Sequence, residues 1–422
     1  MRVHQLRPPN PQRRSERARQ AILDAAFRLS AERGYAQVTV EAIAAAAGVG
    51  KQTIYRWWRS KGAVVLDALL RAAEPEIGFP DTGDIRADLE KQITSVAGLM
   101  TDRRFGAPYR GVIAESQYDA ALAQAFYGRL IGPRMAACVQ RLAAAQGQGQ
   151  VVAGIDLGAA TELLYGPVYH RLLLHSGVLT AEYVGRVVDM VLGGLRPASG
   201  PRPRAGRAQL PPARLSSGPD PGPAGDASRA GGRSRQAILR AAYELCGRHG
   251  FGALTIEAIA ARAGVGKQTI YRWWPSKGAV VLDALLQVLQ GDSAYPDTGD
   301  IAADLRTRLT RVVPLYTSRG FGPVYRGLIA ESQFDTALAA DLYARLIGPR
   351  MAAAEARLAR AQDQGEVDDR LDPHEVTELL YGALHHRLLL HGRDLVADHA
   401  GIVVELAMPG IGASRPRGTS PD

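Results

Sequence analysis

The stretch of sequence that decides the fold occurs twice. Residues 39–70 read TVEAIAAAAGVGKQTIYRWWRSKGAVVLDALL, and residues 255–286 read TIEAIAARAGVGKQTIYRWWPSKGAVVLDALL. Lys51 in the first run becomes Lys267 in the second, an offset of 216 residues (267 minus 51), and the same offset relates PDTGDI, LIGPRMAA and TELLYG without insertion or deletion. Solenoid repeats have periods of about 20 to 50 residues, so this period indicates a duplicated unit of domain size. The long runs differ at three positions, Val40/Ile256, Ala46/Arg262 and Arg59/Pro275.

Each run has the pattern of two short helices joined by a glycine turn. Thr39 is suited to cap the first helix, whose apolar face includes Ile43 and Ala47. The segment Gly48-Val49-Gly50 then turns the chain before a second helix that we predict over residues 51–58. Two short helices around a glycine-containing turn are typical of a helix-turn-helix, whose second helix enters the major groove of DNA.

The second helix carries side chains suited to reading DNA. Ile54 and Trp58 lie four residues apart and are predicted to face inward, whereas Gln52 and Thr53 lie at the helix start, which points toward base edges. Glutamine can bond adenine twice, threonine can contact a thymine methyl group, and tyrosine and lysine can hold phosphates. Four of the five lysines in the chain form matched pairs here, for which surface solubility is the alternative explanation: Lys51/Lys267 and Lys61/Lys277.

The pattern T-x-x-x-I-A-x-x-A-G-V, a short turn, and T-I-Y-R-W-W-x-S-K resembles the DNA-binding domain of the TetR family of bacterial transcriptional repressors. The remainder of each copy is similar, more weakly, to the helical ligand-binding and dimerisation domains of that family. Two departures are Gly50, where Ser or Thr usually caps the recognition helix, and Trp58, where Phe is commoner. The resemblance implies DNA contacts at Thr39, Lys51, Gln52, Thr53, Tyr55, Trp57, Lys61, Thr255, Lys267, Gln268, Thr269, Tyr271, Trp273 and Lys277.

The expected fold class is all-α, with two tandem units that each join a three-helix DNA-binding domain to a helical regulatory and dimerisation domain. Between the copies, a Pro/Gly/Arg-rich segment has the composition of a flexible linker. The predicted divisions are a basic arm 1–14, a helix-turn-helix domain 15–62, a regulatory domain 63–196, the linker 197–232, a second helix-turn-helix domain 233–278, a second regulatory domain 279–410 and a flexible tail 411–422.

Several local signals fix helix ends within each copy. Apolar residues at spacings of three and four predict a helix over residues 17–33 that stops at Gly34. Asp372-Pro373 is a helix start, and the offset places another near Asp156. The Gly-Pro pairs at 132 and 348 should end or kink a long helix. We expect about nine helices in each copy.

The duplication itself departs from the family, whose members are typically homodimers with two recognition helices on a quasi-palindromic site. We therefore expect an intramolecular pseudo-dimer, in which the copies pair through their last two helices. These helices are predicted over residues 156–175, 180–195, 372–391 and 394–408. A flexible tether would hold one copy near the other at an effective concentration of the order of millimolar.

Polar residues set among apolar helix faces are candidates for contacts with a small-molecule effector, with helix-packing hydrogen bonds as the alternative. They are Tyr109, Arg110, Glu115, Gln117, Tyr165, His170, Tyr325, Arg326, Glu331, Gln333, Tyr381 and His386. His170 and His175 are five residues apart, which separates their side chains on a helix and favours a polar dimer contact over a metal site. No cofactor is expected. Glu115 and Glu331 have no acid, base or nucleophile near them in the sequence that would indicate an enzyme.

The net charge of +9 is concentrated near the helix-turn-helix runs. Residues 1–62 carry a net charge of +8 and residues 196–278 one of +10, whereas the rest of the chain carries −9. Basic blocks of this kind indicate a nucleic-acid partner. No apolar run is long enough for a membrane helix or a signal peptide, and two isolated cysteines, Cys138 and Cys246, fit free thiols in a reducing compartment. We expect a cytoplasmic bacterial protein that associates with the nucleoid when bound to DNA.

These observations predict a sequence-specific transcriptional regulator, a repressor released from a double-stranded DNA operator by a small molecule. The alternatives are a ligand-independent DNA-binding or architectural protein, an activator, and an enzyme built on the helical core. Arg59/Pro275 and Ala46/Arg262 make the two DNA-binding units unequal. The predicted operator is therefore an imperfect palindrome.

Overall fold

The computed structural model describes residues 11–73, 79–196, 226–289, 294–392 and 394–413, which form α-helices with connecting turns. We call residues 11–196 copy 1 and residues 226–413 copy 2. Copy 1 contains α1 (Pro11–Arg33), α2 (Val40–Ala47), α3 (Lys51–Tyr55), α4 (Lys61–Ala73), α5 (Ile85–Thr101), α6 (Gly106–Ser116), α7 (Ala120–Phe126), α8 (Gly132–Gly147), α9 (Leu157–Leu174) and α10 (Ala181–Leu195). Copy 2 contains α11 (Asp226–His249), α12 (Ile256–Ala263), α13 (Lys267–Tyr271), α14 (Lys277–Val288), α15 (Ile301–Thr317), α16 (Phe321–Ser332), α17 (Thr336–Leu342), α18 (Gly348–Asp363), α19 (Pro373–Leu390) and α20 (Ala397–Ile411).

Helix starts and stops follow the capping residues. The Thr39 side chain accepts a hydrogen bond from the Ala42 amide at the start of α2, and Gly48 ends that helix with a φ of 66°. Such a left-handed conformation favours glycine because it has no Cβ. Asp156 and Asp372 cap α9 and α19 through their side chains, as the sequence predicts. Each cap stabilises its helix by about 1 kcal/mol.

Several helix boundaries differ from the sequence-based expectation, including the end of α20 at Ile411 rather than at 408, inside the predicted tail. α1 begins at Pro11, inside the predicted arm, and α11 begins at Asp226, inside the predicted linker. Ala and Arg have high helix propensity, which supports these extra turns despite the glycines at 231 and 232. α3 ends at Tyr55 because both Trp57 and Trp58 donate their amides to the Ile54 carbonyl. α20 begins at Ala397 rather than at 394.

The described part of each copy has ten α-helices rather than nine, because the chain divides at the Gly-Pro pair. A single π-helical turn, Tyr127–Ile131, follows α7, and Pro133 then lies in the first turn of α8. Tyr343–Ile347 forms the same turn before α18. Proline is tolerated in a first helical turn because no intrahelical bond needs its missing amide hydrogen. The rest of the predicted arm, linker and tail lies outside the described residues.

The two copies contact each other mainly through α9, α10, α19 and α20, which we call the seam. α9 and α19 cross at Gly166 and Gly382, where a Cβ on either glycine would overlap the backbone of the other helix. α10 and α20 approach as closely at Gly194 and Gly410. Almost every residue of α9 and α19 is buried, as is typical of a helix that is enclosed on all sides.

Charged groups cross the seam in matched positions. Arg171 on α9 donates to Glu378 on α19 at a distance of 2.7 Å, and Arg387 on α19 donates to Glu162 on α9 at a distance of 2.8 Å. The side chains of Glu162 and Glu378 are almost fully buried, so each carboxylate depends on its arginine from the other copy. Within the described ranges, no helix is long and apolar enough to cross a bilayer. Cys138 and Cys246 are buried free thiols.

Candidate nucleic-acid interface

The recognition helix α3 is held by its inner face. Ile54 is fully buried and Trp58 is 5% exposed in the core formed with α1 and α4. The Trp58 indole also donates to Asp67 on α4 over 2.8 Å, and Trp274 donates to Asp283 in the same way in copy 2. A five-residue helix is too short to be stable alone, so these anchors set its position.

The outer face of α3 presents the side chains that the sequence assigns to DNA. Lys51, Gln52 and Tyr55 are exposed, whereas Thr53 and Trp57 are half-buried. The same pattern occurs on α13, where Lys267, Gln268 and Tyr271 are exposed and Thr269 and Trp273 are half-buried. Each copy therefore offers one lysine, one glutamine and one tyrosine to a partner, beside a tryptophan that packs against the fold.

Two of the candidate lysines have acidic partners in the free protein. Lys51 donates to Glu41 over 2.9 Å and Lys267 donates to Glu257 over 3.0 Å. The hydrogen bonds raise the pKa of each lysine and lower the pKa of each glutamate. Both members of each pair are exposed, so the pair is weak and a phosphate can replace the carboxylate.

The other two lysines and the capping threonines point toward their own domain. Lys61 donates to the Tyr35 carbonyl over 3.1 Å and lies 4.1 Å from the centre of the Tyr35 ring. Lys277 has the same two contacts with Phe251. Burial lowers the pKa of both lysines. Thr39 and Thr255 cap α2 and α12. A phosphate contact by these four residues stays a prediction.

Three predicted effector residues line a narrow cavity in copy 2. His170 of copy 1 forms part of its wall beside Tyr325 and Tyr381. The wall has further polar and aromatic members that the sequence pattern does not single out, namely Arg308, Tyr316, Phe321, Arg350 and His385. The positions of Tyr325 and Tyr381 correspond to Tyr109 and Tyr165 in copy 1, which are also buried.

The remaining effector candidates have other neighbours. Gln117 donates to the Leu389 carbonyl of copy 2, and Gln333 donates to the Leu173 carbonyl of copy 1. Both hydrogen bonds are 2.8 Å long. Arg110 and Arg326 are half-buried, and burial lowers their pKa. His386 is buried on α19 with its ring 5.4 Å from that of Tyr169. Gln117, Gln333 and His386 therefore join the two copies.

Glu115 connects the first DNA-binding domain to the core of copy 1. Its carboxylate accepts hydrogen bonds from the Tyr35 hydroxyl over 2.5 Å and from the Gly62 amide over 3.2 Å. Burial, followed by the nearby carboxylate, raises the pKa of the Tyr35 phenol far above its usual range, so the phenol stays a donor. In copy 2 the position of Tyr35 is Phe251, and burial raises the pKa of Glu331.

In the part of the chain that the structure describes, no three His, Cys, Asp or Glu side chains form a group that could hold a metal ion. His170 contacts the Ser176 hydroxyl over 3.2 Å, and His175 ends α9 with a φ of 56°.

Comparisons with known proteins match both copies. The family model for bacterial regulatory proteins of the tetR family matches residues 22–68 and 238–284. The model for the tetracyclin repressor-like C-terminal domain matches residues 79–191 and 295–407. A solved structure, the TetR family transcription regulator SCO0332, is 37% identical, with 43% of this chain and 99% of that chain covered and a TM-score of 0.38.

Two curated relatives are matched along most of their own length by less than half of this chain. The uncharacterized HTH-type transcriptional regulator YdeS of Bacillus subtilis is 36% identical over 181 residues, which cover 43% of this chain and 91% of the relative. The DNA-binding transcriptional repressor TetR of Mycobacteroides abscessus is 29% identical, with 42% of this chain and 94% of the relative covered. The chain therefore belongs to the TetR family of DNA-binding transcriptional regulators, as a tandem duplication that carries two TetR units.

Proposed function

We propose that one chain acts as a complete repressor, in which the two copies pair within the chain and bind one quasi-palindromic operator. The observation that carries this proposal is the seam, where α9 and α10 of copy 1 pack on α19 and α20 of copy 2. The reciprocal bonds from Gln117 and Gln333 support it, since each core also holds the end of the other copy's central helix. A relative from Mycobacteroides abscessus is named a repressor, which supports repression over activation.

The stoichiometry of the DNA complex tests this proposal. An operator is first selected from a random DNA pool, and the mass of the protein-DNA complex is then measured by native mass spectrometry. We expect one chain per operator, and an affinity that dilution does not weaken because the second copy is tethered. Two chains per operator, or selection of two unrelated half-sites, would contradict the pseudo-dimer.

The proposed base-reading residues are Gln52 and Gln268, which are exposed near the starts of α3 and α13. Gln52→Ala should relax base preference in one half-site and Gln268→Ala in the other, each by about 1 to 3 kcal/mol, because a two-bond contact with a base is lost. Gln124→Ala is the matched control, since Gln124 is exposed on α7 and the corresponding residue of copy 2 is Ala340. Equal selection patterns for all three variants would exclude both glutamines from base reading.

Release by an effector is the second part of the proposal, and the cavity in copy 2 supports it. The rings of Tyr316 and Tyr325 stack with centroids 5.1 Å apart, and the Tyr325 hydroxyl lies 3.0 Å from Nε2 of His385. Burial lowers the pKa of His385 well below its usual range and that of His170 to about 4, so both imidazoles are neutral at pH 7. The wall thus combines aromatic rings and aliphatic side chains with a few donors and acceptors, which suits a small aromatic compound with polar substituents.

Binding in this cavity would act on both copies, because His170 comes from copy 1 and the other lining residues come from copy 2. An effector releases DNA only if it binds better to a conformation whose recognition helices are misplaced, and DNA must then weaken effector binding equally. Thermal-shift screening with aromatic compounds, followed by gel shifts with each hit, tests this. Tyr381→Phe should reduce the shift produced by a hit. Hits that leave operator binding unchanged would contradict release and favour ligand-independent DNA binding.

A further inference from the structure

The seam contains a two-bond ion pair that the duplication does not repeat. Arg186 on α10 holds both oxygens of Glu375 on α19, with Nε to Oε2 at 2.8 Å and Nη2 to Oε1 at 2.6 Å. The offset of the repeat places Ile402 at the position of Arg186 and Ala159 at the position of Glu375. The repeat therefore replaces this ion pair with two apolar residues at the matching positions of the seam.

We infer that the seam is an interface for unlike copies, in which copy 2 accepts copy 1 as its partner and rejects a second copy 2. This inference rests on the proposed pairing through the seam and adds a choice of partner to it. The partner that the copy 2 side of the seam accepts is a copy 1 face, which offers a guanidinium group opposite Glu375.

Matched contacts cannot make this choice. Arg171 to Glu378 and Arg387 to Glu162 are the same contact seen from each copy, and Gln117 and Gln333 are likewise equivalent. Any pairing of the two copies, like or unlike, would form them. They strengthen the seam without specifying which copies meet, because specificity is a difference between affinities.

A pair of two copies 2 would leave Glu375 facing Ile402. The Glu375 side chain is only 6% exposed beneath Arg186, and its carboxylate would lose both of these hydrogen bonds to an isoleucine that has no donor. In the unlike pair, Arg171 lies 3.7 Å from Glu375 while it bonds Glu378. Its counterpart Arg387 would have to serve both carboxylates in the like pair.

The surroundings of Glu378 favour the unlike pair in the same direction. Glu378 accepts hydrogen bonds from the Ser176 hydroxyl over 2.6 Å and from the Tyr183 hydroxyl over 2.9 Å, both from copy 1. The corresponding residues of copy 2 are Gly392 and His399. A second copy 2 would therefore supply no hydroxyl at the position of Ser176. His399 would replace Tyr183, as it does beside Glu162, where its Nε2 lies 3.2 Å from the carboxylate.

A pair of two copies 1 meets a weaker penalty. Arg186 would face Ala159, but its side chain is 54% exposed and would stay hydrated. Rejection of one like pair is sufficient, because every pair of two copies 1 would leave a copy 2 without an acceptable partner. The unlike pair is then the arrangement that satisfies both copies.

The test uses the full chain with a protease site inserted between residues 210 and 211, cleaved after purification. Natural-abundance and ¹⁵N-labelled cleaved proteins are mixed, treated with increasing concentrations of guanidinium, and returned to buffer without it. Pairs that contain both isotopes then prove that the copies have exchanged partners. Native mass spectrometry then counts like and unlike pairs. Random pairing gives a ratio of unlike to like pairs of about 1, and we expect about 10 or more.

Variants taken from the repeat itself complete the test. Glu375→Ala introduces the copy 1 residue and should move the ratio toward about 1, as should Arg186→Ile combined with Glu375→Ala. Arg86→Ala is the control, because Arg86 pairs with Asp189 inside copy 1 and its counterpart is Ala302. A ratio near 1 in the unaltered sequence, or no change with Glu375→Ala, would overturn the inference. Operator binding by the uncleaved chain tests the pseudo-dimer separately.

Discussion

The two DNA-binding domains carry the same recognition helix but are joined to their cores by different chemistry. In copy 1 the Tyr35 hydroxyl donates to the Glu115 carboxylate of α6 over 2.5 Å. In copy 2 the corresponding residues are Phe251 and Glu331, and the phenylalanine has no hydroxyl to donate. The first joint is therefore a charge-assisted hydrogen bond, and the second is apolar packing beside a half-buried carboxyl group.

This difference indicates that the two recognition helices are not equally easy to displace. Rotation of the first domain must break a directional bond, whereas packing around Phe251 resists small rotations less sharply. Each joint is also covered by the other copy: Phe334 stacks on Tyr35 with ring centroids 6.1 Å apart, and Tyr118 donates to the Gly327 carbonyl over 3.0 Å. A change in the seam would thus reach both joints, with the larger response expected in the second domain.

The largest expected effect comes from separating the copies at the crossing of α9 and α19. Gly166→Val would place side-chain atoms inside the backbone of Gly382, which cannot move without shifting the whole helix. We expect the free energy of unfolding to fall by about 3 kcal/mol or more, measured by urea denaturation. Gly98→Ala is the control, because the space beside Gly98 on α5 is open and helix propensity favours alanine by about 1 kcal/mol. Equal stability of Gly166→Val and the parent protein would exclude the close crossing.

Exchange of the two joint residues tests the comparison directly. Tyr35→Phe should lower the free energy of unfolding by about 1.5 to 3 kcal/mol, because the Glu115 carboxylate loses a charge-assisted hydrogen bond. Phe251→Tyr should give Glu331 a donor and restore part of that stability when both changes are combined. Urea denaturation measures the total, and hydrogen exchange in residues 35–62 and 251–278 shows which domain has changed. A loss of protection confined to the second domain in Tyr35→Phe would contradict the assignment.

Local features of this fold could be predicted from sequence, because they depend on neighbouring residues. The helix-turn-helix, the cap at Thr39, the starts at Asp156 and Asp372 and the division at the Gly-Pro pairs all follow from short patterns. The helices of the described residues confirm the all-α fold, and the two matches of each family model confirm the tandem duplication. Helix starts at Pro11 and Asp226 were missed because composition alone favoured unstructured segments there.

Contacts between distant residues could not be predicted. Tyr35 lies 80 residues from Glu115, and Gln117 lies 272 residues from Leu389. Helical periodicity shows that a polar residue lies on an apolar face but not which surface covers that face. The sequence therefore leaves Gln117 and Gln333 as candidates for either effector contacts or helix-packing hydrogen bonds, and their amides bond the opposite copy. Comparison of the two copies would have revealed one signal, the change from Tyr35 to Phe251 within an otherwise similar segment.

A histidine present in copy 2 alone should make stability depend on pH. His374 contacts Glu378 and Glu355, and its hydrogen bond to Glu378 raises its pKa from 6.5 to about 9, whereas the corresponding residue of copy 1 is Gly158. Because the folded state binds this proton more tightly, the stabilisation is complete below pH 6.5 and is lost as the pH rises through 9. We expect a loss of about 1 to 2 kcal/mol over that range by urea denaturation. His374→Gln should flatten the profile, and an unchanged slope would assign the pH dependence to another group.

The smallest expected effect compares the two joint glutamates. Burial raises the pKa of Glu331, so the folded state favours its protonated form. The stabilisation from protonated Glu331 is complete below the pKa of the unfolded state, near 4.5, and is lost as the pH rises through the raised pKa of the folded state. At pH 7 the folded state then holds an unfavourable, partly buried charge. Glu331→Gln should therefore raise the free energy of unfolding at pH 7, by no more than about 1 kcal/mol because the carboxylate is partly solvated, and the gain should vanish below pH 4.5. Glu115→Gln should instead be destabilising at pH 7, because its carboxylate accepts the Tyr35 and Gly62 hydrogen bonds. Effects of the same sign in both copies would show that the two joints are electrostatically equivalent, and the unequal displacement of the two recognition helices would then lose its basis.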